Sequence, residues 1–365
     1  MSPWGRRMGL WGLWLALLGG CGPAPDTAPP PGHDGEVPAL VLPPGFSSVP
    51  VLPDNPLTPE GIALGRWLFH SPLLSANGRV SCATCHVQEH AFSLDVPLAT
   101  VGVSGRRLSR HVPTLINLAW MDGLFWDGGA KNLESLSLGP LTHPDEMGQE
   151  DLQALMDRLA GTPEAVQRFE RAFGPGEPTL GQLLRALAQF QRTLVSARSR
   201  YDGWRRGEPG LALSTFEQMG HGLVRQRCAP CHASELFTDN AFHNNGLDAA
   251  FGEGEDLTRG RGRVTLLPGD AGRYKTPTLR NVARSAPYMH DGRFATLDEV
   301  LEHYRQGVVP SSTLDVALRR DAEPPGIALD VLEKAAVLAF LETLTDDSFL
   351  RESAWRPPPP ANDSP

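Results

Sequence analysis

The sequence predicts an all-α fold in which long loops rich in glycine and proline join the helices. Apolar residues recur at helical spacing in several stretches, whereas strand-like alternation hardly occurs. Long connections with many glycines and prolines, such as residues 244–277, separate these stretches. The 365 residues, of which 41% are hydrophobic and 21% charged, suffice for about two globular domains and exclude a collagen-like, coiled-coil or wholly disordered protein.

Helix-start signals support the helical prediction. Thr58 is an N-cap residue followed by Pro59, which suits the first helical position. Apolar faces follow at helical spacing over residues 183–194 and 329–341. Capping boxes are predicted at two further helix starts, Ser214 with Glu217 and Thr296 with Glu299.

The five cysteines divide into one isolated residue, Cys21, and two pairs of equal spacing that are each followed by histidine. The two motifs are Cys82-Ala-Thr-Cys85-His86 and Cys228-Ala-Pro-Cys231-His232. This CxxCH spacing lets two thiols reach the vinyl groups of one porphyrin and places histidine beneath the iron. A four-cysteine zinc site or disulfides are alternatives, but the histidine after both pairs favours two covalently bound c-type haems.

Two segments of the chain resemble each other. A helix leads into CxxCH over residues 58–86 and again over 214–232, and a Pro-Thr-Leu tripeptide follows at 113–115 and at 277–279. We therefore expect two related cytochrome c-like haem domains, an N-terminal one over residues 51–200 and a C-terminal one over 201–348. Residues 349–365, with four consecutive prolines, are predicted to be a disordered tail.

The N-terminus predicts export. Arg6 and Arg7 precede an apolar run over residues 8–18, which is typical of a signal peptide over residues 1–20. Cys21 after Leu-Gly-Gly resembles a bacterial lipoprotein signal, so Cys21 would carry lipid and residues 21–50 would form a flexible tether; an ordinary signal near a chance cysteine is the alternative. We expect a periplasmic, membrane-anchored protein, and the net charge of −9 disfavours a nucleic-acid partner.

Several further motifs occur in order over about residues 55–345. They are Leu64-Gly-Arg-Trp-Leu-Phe69, Leu74-Ser-Ala-Asn-Gly78, Arg110-His-Val-Pro-Thr-Leu115, Phe125-Trp-Asp-Gly128, Pro144-Asp-Glu-Met147 and residues 278–292. Together with both CxxCH motifs, they resemble those of one family, the bacterial di-haem cytochrome c peroxidases and their MauG-like relatives. The resemblance implies two α-helical cytochrome c domains whose haems face each other across the interface.

The resemblance also implies residue roles. His86 would be the proximal ligand of a peroxidatic haem, and His232 that of an electron-transfer haem. Trp126 matches a tryptophan between the haems that relays electrons, and Glu146 matches a distal acid that moves a proton between the peroxide oxygens. From the residues alone, Trp126 would be a core tryptophan and Glu146 a solvated loop carboxylate.

Departures from the family pattern refine the expected first site. Val103 stands where the best-known peroxidases carry a distal histidine, so the first haem should be open at rest, with His90 and His111 as possible caps. Leu136 replaces a distal glutamine. The asparagine that binds a structural calcium aligns with His111, which makes calcium doubtful.

At the second haem, Tyr304 occupies the position of the usual methionine ligand. It continues the apolar face of Leu297, Val300 and Leu301, as a buried core tyrosine would. MauG-like proteins use tyrosine as a haem ligand here, so Tyr304 is the predicted ligand and Met289 its competitor. A tyrosinate would favour ferric iron.

These observations predict an oxidoreductase that reduces H2O2 at an open first haem with electrons delivered through the second. The donor would be a small c-type cytochrome or another reductant. A MauG-like enzyme that oxidises a residue of a partner protein is a near-equal alternative, and a non-catalytic di-haem electron carrier is a third. The glycines of 252–262 lack a P-loop pattern, and His243 with Asn244-Asn245-Gly246 suggests ordinary loop residues rather than a metal site.

Overall fold

The computed structural model describes residues 42, 45–50, 52–254, 256–319 and 325–359. The predicted signal peptide, Cys21 and most of the tether lie outside these residues. The helical prediction is confirmed: within the described part of the chain, the only strands are two of two residues each. No helix found there is both long and apolar enough to cross a membrane.

The helices are numbered in chain order. They are α1 Pro59–His70, α2 Cys82–Cys85, α3 Leu133–Leu136, α4 Leu138–Thr142, α5 Leu152–Ala160, α6 Pro163–Phe173, α7 Leu180–Arg192, α8 Arg200–Arg206, α9 Thr215–Leu223, α10 Arg261–Thr265, α11 Leu297–Glu302, α12 Val331–Glu342 and α13 Asp347–Arg351. Two π-helical turns, Val224–Cys228 and His303–Gly307, continue α9 and α11. Strands β1 Phe242–His243 and β2 Tyr274–Lys275 pair antiparallel.

The first apolar core forms where α1 crosses α7. Thr58 caps α1 by accepting a hydrogen bond from the Gly61 amide, as its position before Pro59 predicts. Leu68 and Phe190 are fully buried between the helices, and burial of each such side chain contributes about 1.5–3 kcal/mol. Gly65 permits the close crossing, because a Cβ atom there would overlap the Ala186 carbonyl.

The second apolar core repeats this arrangement with α9 and α12. The predicted capping box is present: the Ser214 amide donates to Glu217 Oε2 at 2.7 Å, and the Glu217 amide donates to Ser214 Oγ at 3.2 Å. Gly220 faces the Ala336 carbonyl as Gly65 faces that of Ala186, and Phe340 is fully buried beside it. The division into two haem domains at residue 200 stays a prediction.

The predicted disordered tail is wrong for residues 349–355. Helix α13 contains Phe349, which is 1% exposed, and Trp355 beyond it is 6% exposed. Their rings lie 5.6 and 6.2 Å from that of Phe92, so the chain returns to the first core after the second. The prolines after Trp355 dominate the composition of this segment and therefore predict disorder, although Phe349 and Trp355 are apolar and pack in the core.

Candidate haem sites

The two CxxCH motifs have the same local geometry. The amide of His86 donates to the Cys82 carbonyl at 2.9 Å, and that of His232 donates to the Cys228 carbonyl at 2.8 Å. The first motif forms α2, whereas the second begins at the end of a π turn. None of the four cysteines of the motifs is in a disulfide, so all four sulfurs are available to a haem.

Both motif histidines are oriented for metal ligation. His86 Nδ1 donates to the Phe92 carbonyl at 2.7 Å, and His232 Nδ1 donates to the Phe237 carbonyl at 3.1 Å. Because a carbonyl only accepts, each Nδ1 carries the proton and each Nε2 keeps its lone pair, as in iron-bound histidines. Burial lowers the pKa of His86 to about 4 and also lowers that of His232, which keeps both rings neutral. The donor sets therefore fit a c-type haem at each motif.

Glu146 lies close to the first motif. Its backbone carbonyl accepts from the Val103 amide at 2.8 Å, and its own amide donates to the His143 carbonyl at 3.0 Å. Burial raises the pKa of Cys85 to about 11, and the nearby charge of Glu146 adds to that effect. The fold thus brings together a carboxyl and a CxxCH motif that are 60 residues apart in sequence.

The protonation of Glu146 depends on its immediate surroundings. Partial burial of the carboxyl raises its pKa, His143 opposes the rise, and Asp145 adds to it. His143 Nδ1 lies 3.7 Å from Glu146 Oε1, while Asp145 turns away to Arg106 at 2.7 Å. None of the sequence motifs includes His143, although its position three residues before Glu146 could have indicated the contact.

The other residues considered near the first haem have identifiable neighbours. Val103 packs its side chain against Gly148 on the Glu146 loop. His90 Nε2 lies 3.7 Å from Asp95 Oδ2, and His111 Nε2 lies 3.2 Å from Ser93 Oγ. Leu136 is buried in the first core. The Nε2 atom of each histidine thus lies beside an oxygen of another side chain.

Trp126 connects the two halves of the chain. Its Nε1 donates to the His111 carbonyl at 2.7 Å, and its own carbonyl accepts from the Lys275 amide at 2.8 Å. The His111 amide in turn donates to the His290 carbonyl at 2.8 Å. Trp126 therefore lies where segments before and after residue 200 meet.

Charged groups reinforce this junction. Asp127, next to Trp126, accepts from Arg110 Nη1 at 2.8 Å, and Arg263 Nη1 lies 3.5 Å from the same carboxylate. Arg261 Nη1 donates to the Asp127 carbonyl at 3.1 Å. Two arginines of the second half thus bind a segment of the first.

Tyr304 and Met289, the two candidate ligands of the second haem, lie in one site. The predicted Thr296–Glu299 capping box starts α11, and Tyr304 follows in the π turn. Asn245 Nδ2 lies 3.4 Å from both Tyr304 Oη and Met289 Sδ. Burial raises the pKa of Tyr304 to about 12, the Asn245 hydrogen bond opposes this, and charges on Cys231 and Cys228 add to it. The hydroxyl is therefore close to the second CxxCH motif.

His243 joins two loops beside the same motif. Its Nδ1 lies 2.6 Å from Asp315 Oδ2, and its Nε2 lies 2.8 Å from Asp239 Oδ2. Hydrogen bonds to Cys231, Asp315 and Asp239 raise its pKa to about 10. With a carboxylate beside each ring nitrogen, His243 is an imidazolium that holds the two loops together. Among the residues described, no group of three or more His, Cys, Asp or Glu side chains is arranged to hold a metal ion.

A helical fold with two such motifs, a carboxyl beside one and a tyrosine beside the other, defines the class of c-type di-haem proteins. Residues 59–210 match the family model of the di-haem cytochrome c peroxidases. The chain belongs to that family, which confirms the resemblance seen in its motifs and implies haem c as its cofactor.

Individual relatives come from both branches of the family. The chain is 38% identical over 300 residues to a methylamine utilization protein MauG of Methylorubrum extorquens, with 81% of each chain covered. It is 31% identical to the cytochrome c551 peroxidase of Nitrosomonas europaea, with 82% of this chain and 84% of the relative covered. A solved structure of a MauG-like protein associated with microbial copper homeostasis matches with a TM-score of 0.79 and 32% identity over 87% of this chain and 99% of that one.

Proposed function

We propose that this di-haem oxidoreductase reduces H2O2 at the first haem with electrons that arrive through the second. As a member of its family, the protein acts on peroxide. The finer assignment concerns which haem meets peroxide and which residues move protons and electrons. When bound, the haem irons supply the redox chemistry that cleaves the peroxide bond.

The residues that would hold each haem follow from the two motifs. Thioether bonds would form at Cys82 and Cys85 in the first site and at Cys228 and Cys231 in the second. The lone pairs of His86 Nε2 and His232 Nε2 would bind the irons. Tyr304 would be the sixth ligand of the second.

A difference between the two halves carries the proposal. Asn117 and Asn281 both have left-handed backbone with φ of 55° and 54°, and both precede a short 3-10 turn. If Asn117 is aligned with Asn281 and both segments are followed along the chain without a gap, the helix caps Asn132 and Thr296 also align.

The same register aligns Phe125 with Met289 and Pro140 with Tyr304. Phenylalanine and proline side chains cannot ligate iron, whereas methionine and tyrosine can. The first site therefore lacks ligands at both positions that supply candidates in the second, and it has Glu146 near its motif instead. This asymmetry supports an open, peroxide-binding first haem.

Glu146 would serve as the acid–base group. Its raised pKa suits a carboxyl that accepts a proton from one peroxide oxygen and returns it to the other. Burial raises the pKa of Glu146 and the nearby His143 ring lowers it, so the two effects would together set the protonation of the carboxyl.

Trp126 would relay electrons between the sites. Its hydrogen bond to His111 and the backbone bond from Lys275 fix the indole at the junction of the halves. A fixed, polarisable ring at this junction would divide the electron path between the haems into shorter steps.

A MauG-like activity is the second candidate, because Tyr304 lies at the second site and a MauG protein is among the relatives. An anionic ligand would stabilise oxidised iron and favour removal of electrons from a partner protein. Stopped-flow assays with reduced cytochrome c test the peroxidase. Mass spectrometry of proteins oxidised in the presence of H2O2 tests the alternative.

The resting electron paramagnetic resonance spectrum tests the open first haem. The expected result is one high-spin and one low-spin ferric signal of equal intensity, with the high-spin signal lost on addition of H2O2. Two low-spin signals that do not respond to peroxide would instead indicate an electron carrier.

Export and anchoring belong to the same proposal. We propose a periplasmic lipoprotein whose anchor is Cys21. The expected result of Cys21→Ser is loss of labelled fatty acid and release from membranes. Continued labelling of that variant would contradict the assignment.

A further inference from the structure

Asn245 lies between the two candidate ligands of the second haem. Its amide nitrogen is 3.4 Å from the hydroxyl oxygen of Tyr304 and 3.4 Å from the sulfur of Met289. One donor group therefore touches a hard oxygen and a soft sulfur that both lie near the second CxxCH motif. Neither the sequence motifs nor the family resemblance singled out this asparagine.

The backbone around Asn245 is tightly held. His303 Nε2 donates to the Asn245 carbonyl at 3.0 Å, and the Val309 amide donates to the Gly246 carbonyl at 2.8 Å. These bonds secure both ends of the π turn that carries Tyr304. The side chain of the neighbouring Asn244 donates through Nδ2 to Thr313 Oγ1 at 2.8 Å and thereby fixes the same loop from the other side.

Met289 is held as firmly as Tyr304. It has left-handed backbone with φ of 74° and lies in a turn closed by a hydrogen bond from the Gly292 amide to the Met289 carbonyl at 3.2 Å. The adjacent Tyr288 amide donates to the Phe294 carbonyl at 2.8 Å. The backbone that carries the Met289 thioether is therefore fixed.

The two ligand atoms suit different oxidation states of iron. An anionic phenolate oxygen is a hard donor and favours ferric iron, whereas a neutral thioether is soft and favours ferrous iron. The Asn245 N–H can donate to oxygen or to sulfur, so it can stabilise whichever atom is not fully engaged with iron.

We propose that Asn245 is a positioning residue that holds Tyr304 and Met289 as an exchangeable pair of sixth ligands for the second haem. Tyr304 binds the ferric iron and Met289 the ferrous iron. On reduction, the donor that the peroxidase activity already requires supplies one electron, the iron–oxygen bond breaks, the iron–sulfur bond forms, and the phenolate takes up one proton from solvent. Oxidation reverses each change. The inference rests on the proposed haem at His232.

Carbon monoxide titration tests the exchange, because CO binds only ferrous haem with a free or weakly held sixth position. In fully reduced Met289→Leu, we expect one more CO bound per chain than in wild type, with the ferric spectrum unchanged. Met156→Leu replaces another buried methionine, in α5 of the first core, and should match wild type. An unchanged CO count in Met289→Leu, at two haems per chain, overturns the ligand pair.

Two further variants separate the ligands from their positioning residue. Tyr304→Phe should change the ferric low-spin signal and leave the CO count of the reduced protein as in wild type. Asn245→Leu should weaken the binding of Tyr304 to ferric iron and of Met289 to ferrous iron. The ferric low-spin signal should therefore be smaller and the CO count of the reduced protein larger. Gln153→Leu removes an exposed side-chain amide on α5 that contacts neither ligand, and should leave both readouts unchanged.

The outcomes distinguish this inference from the proposed function. A purified holoprotein with fewer than two haems per chain, measured by pyridine haemochrome, overturns both. Two haems with both readouts unaltered in Asn245→Leu overturn only the role of Asn245.

Discussion

The two halves of the chain support their CxxCH histidines in the same way but surround the opposite side of each site with different chemistry. The Asn117 amide donates to the Leu194 carbonyl at 3.0 Å, and the Asn281 amide donates to that of Leu344 at 3.1 Å. Each motif is also followed by a hydroxyl that bonds a distant carbonyl, Ser93 to Val112 at 2.6 Å and Thr238 to Thr276 at 2.7 Å. The same backbone support thus recurs in both halves, while the side chains beside the two motifs differ.

The halves also differ inside their cores. Ile116 is fully buried in the first half, and its counterpart by position, Arg280, is 1% exposed in the second. Arg280 forms a two-pronged ion pair with Asp202, at 2.8 and 2.9 Å, and also donates to the Glu235 carbonyl at 2.8 Å. The second half therefore places a buried charge pair where the first uses an aliphatic side chain.

The largest expected effect tests the chemical asymmetry. Glu146→Gln keeps the side-chain shape but cannot exchange a proton, so kcat with H2O2 should fall by about 100- to 10,000-fold. Because burial raises the pKa of Glu146, wild-type activity should fall as pH decreases through a value above 4.5, where the carboxylate becomes protonated. Glu150→Gln, on an exposed neighbour, is the control.

The pH profile then decides the role of Glu146. The acidic limb should disappear in Glu146→Gln and persist in Glu150→Gln. An acidic limb that remains in Glu146→Gln assigns it to another group.

The next effect concerns the buried ion pair of the second half. Arg280→Met leaves the Asp202 carboxylate buried without its partner and should lower the free energy of unfolding by about 3–5 kcal/mol. Arg351→Met removes an exposed arginine and should change it by less than about 0.5 kcal/mol. Chemical denaturation of the holoprotein measures both.

Acid titration gives a second readout of the same pair. Although desolvation opposes it, Arg280 lowers the pKa of Asp202 below its ordinary value of 3.8. The stabilisation is therefore fully present above that ordinary value and is lost as pH falls through the lowered one. If Arg280→Met were as stable as wild type at neutral pH, the ion pair would have no net role.

A smaller effect tests the duplicated helix crossings. Gly65→Ala and Gly220→Ala should each destabilise by about 1–3 kcal/mol, because the new methyl group overlaps a carbonyl on the facing helix. Gly181→Ala and Gly222→Ala lie in open space on α7 and α9 and should instead stabilise by up to about 1 kcal/mol. Thermal unfolding measures the change in stability of each variant. Losses in Gly65→Ala and Gly220→Ala, with gains in Gly181→Ala and Gly222→Ala, would support equivalent crossings. A neutral Gly220→Ala would show that only the first crossing is tight.

The smallest effect on stability is expected at the junction of the halves. Trp126→Phe removes the hydrogen bond to the His111 carbonyl and should cost about 1 kcal/mol. It should also slow electron exchange between the haems, measured by flash photolysis of the reduced CO complex. Trp120→Phe, which bonds Ser47 instead, is the matched control. Equal exchange rates in both variants would remove Trp126 from the electron path.

Features set by residues close together in sequence could be predicted, whereas contacts between distant segments could not. The starts of α1, α9 and α11 follow from capping residues within four positions, so Thr58, Ser214 and Thr296 sufficed. Glu146 depended on the family resemblance, because its partners at the first motif are 60 residues away in sequence. Asn245 and the packing of Trp355 on the first core had no local pattern, since both arise only when distant segments meet.

The π turn after α11 has a mechanical consequence. Successive residues of an α-helix point about 100° apart, which would direct neighbouring side chains to different surroundings. In the wider turn of His303–Gly307, the adjacent His303 and Tyr304 both reach Asn245, one at its carbonyl and the other at its amide. Any displacement of the loop at Asn245 therefore pulls on two consecutive residues at once. The long loop and the turn that carries Tyr304 are thus mechanically coupled through Asn245.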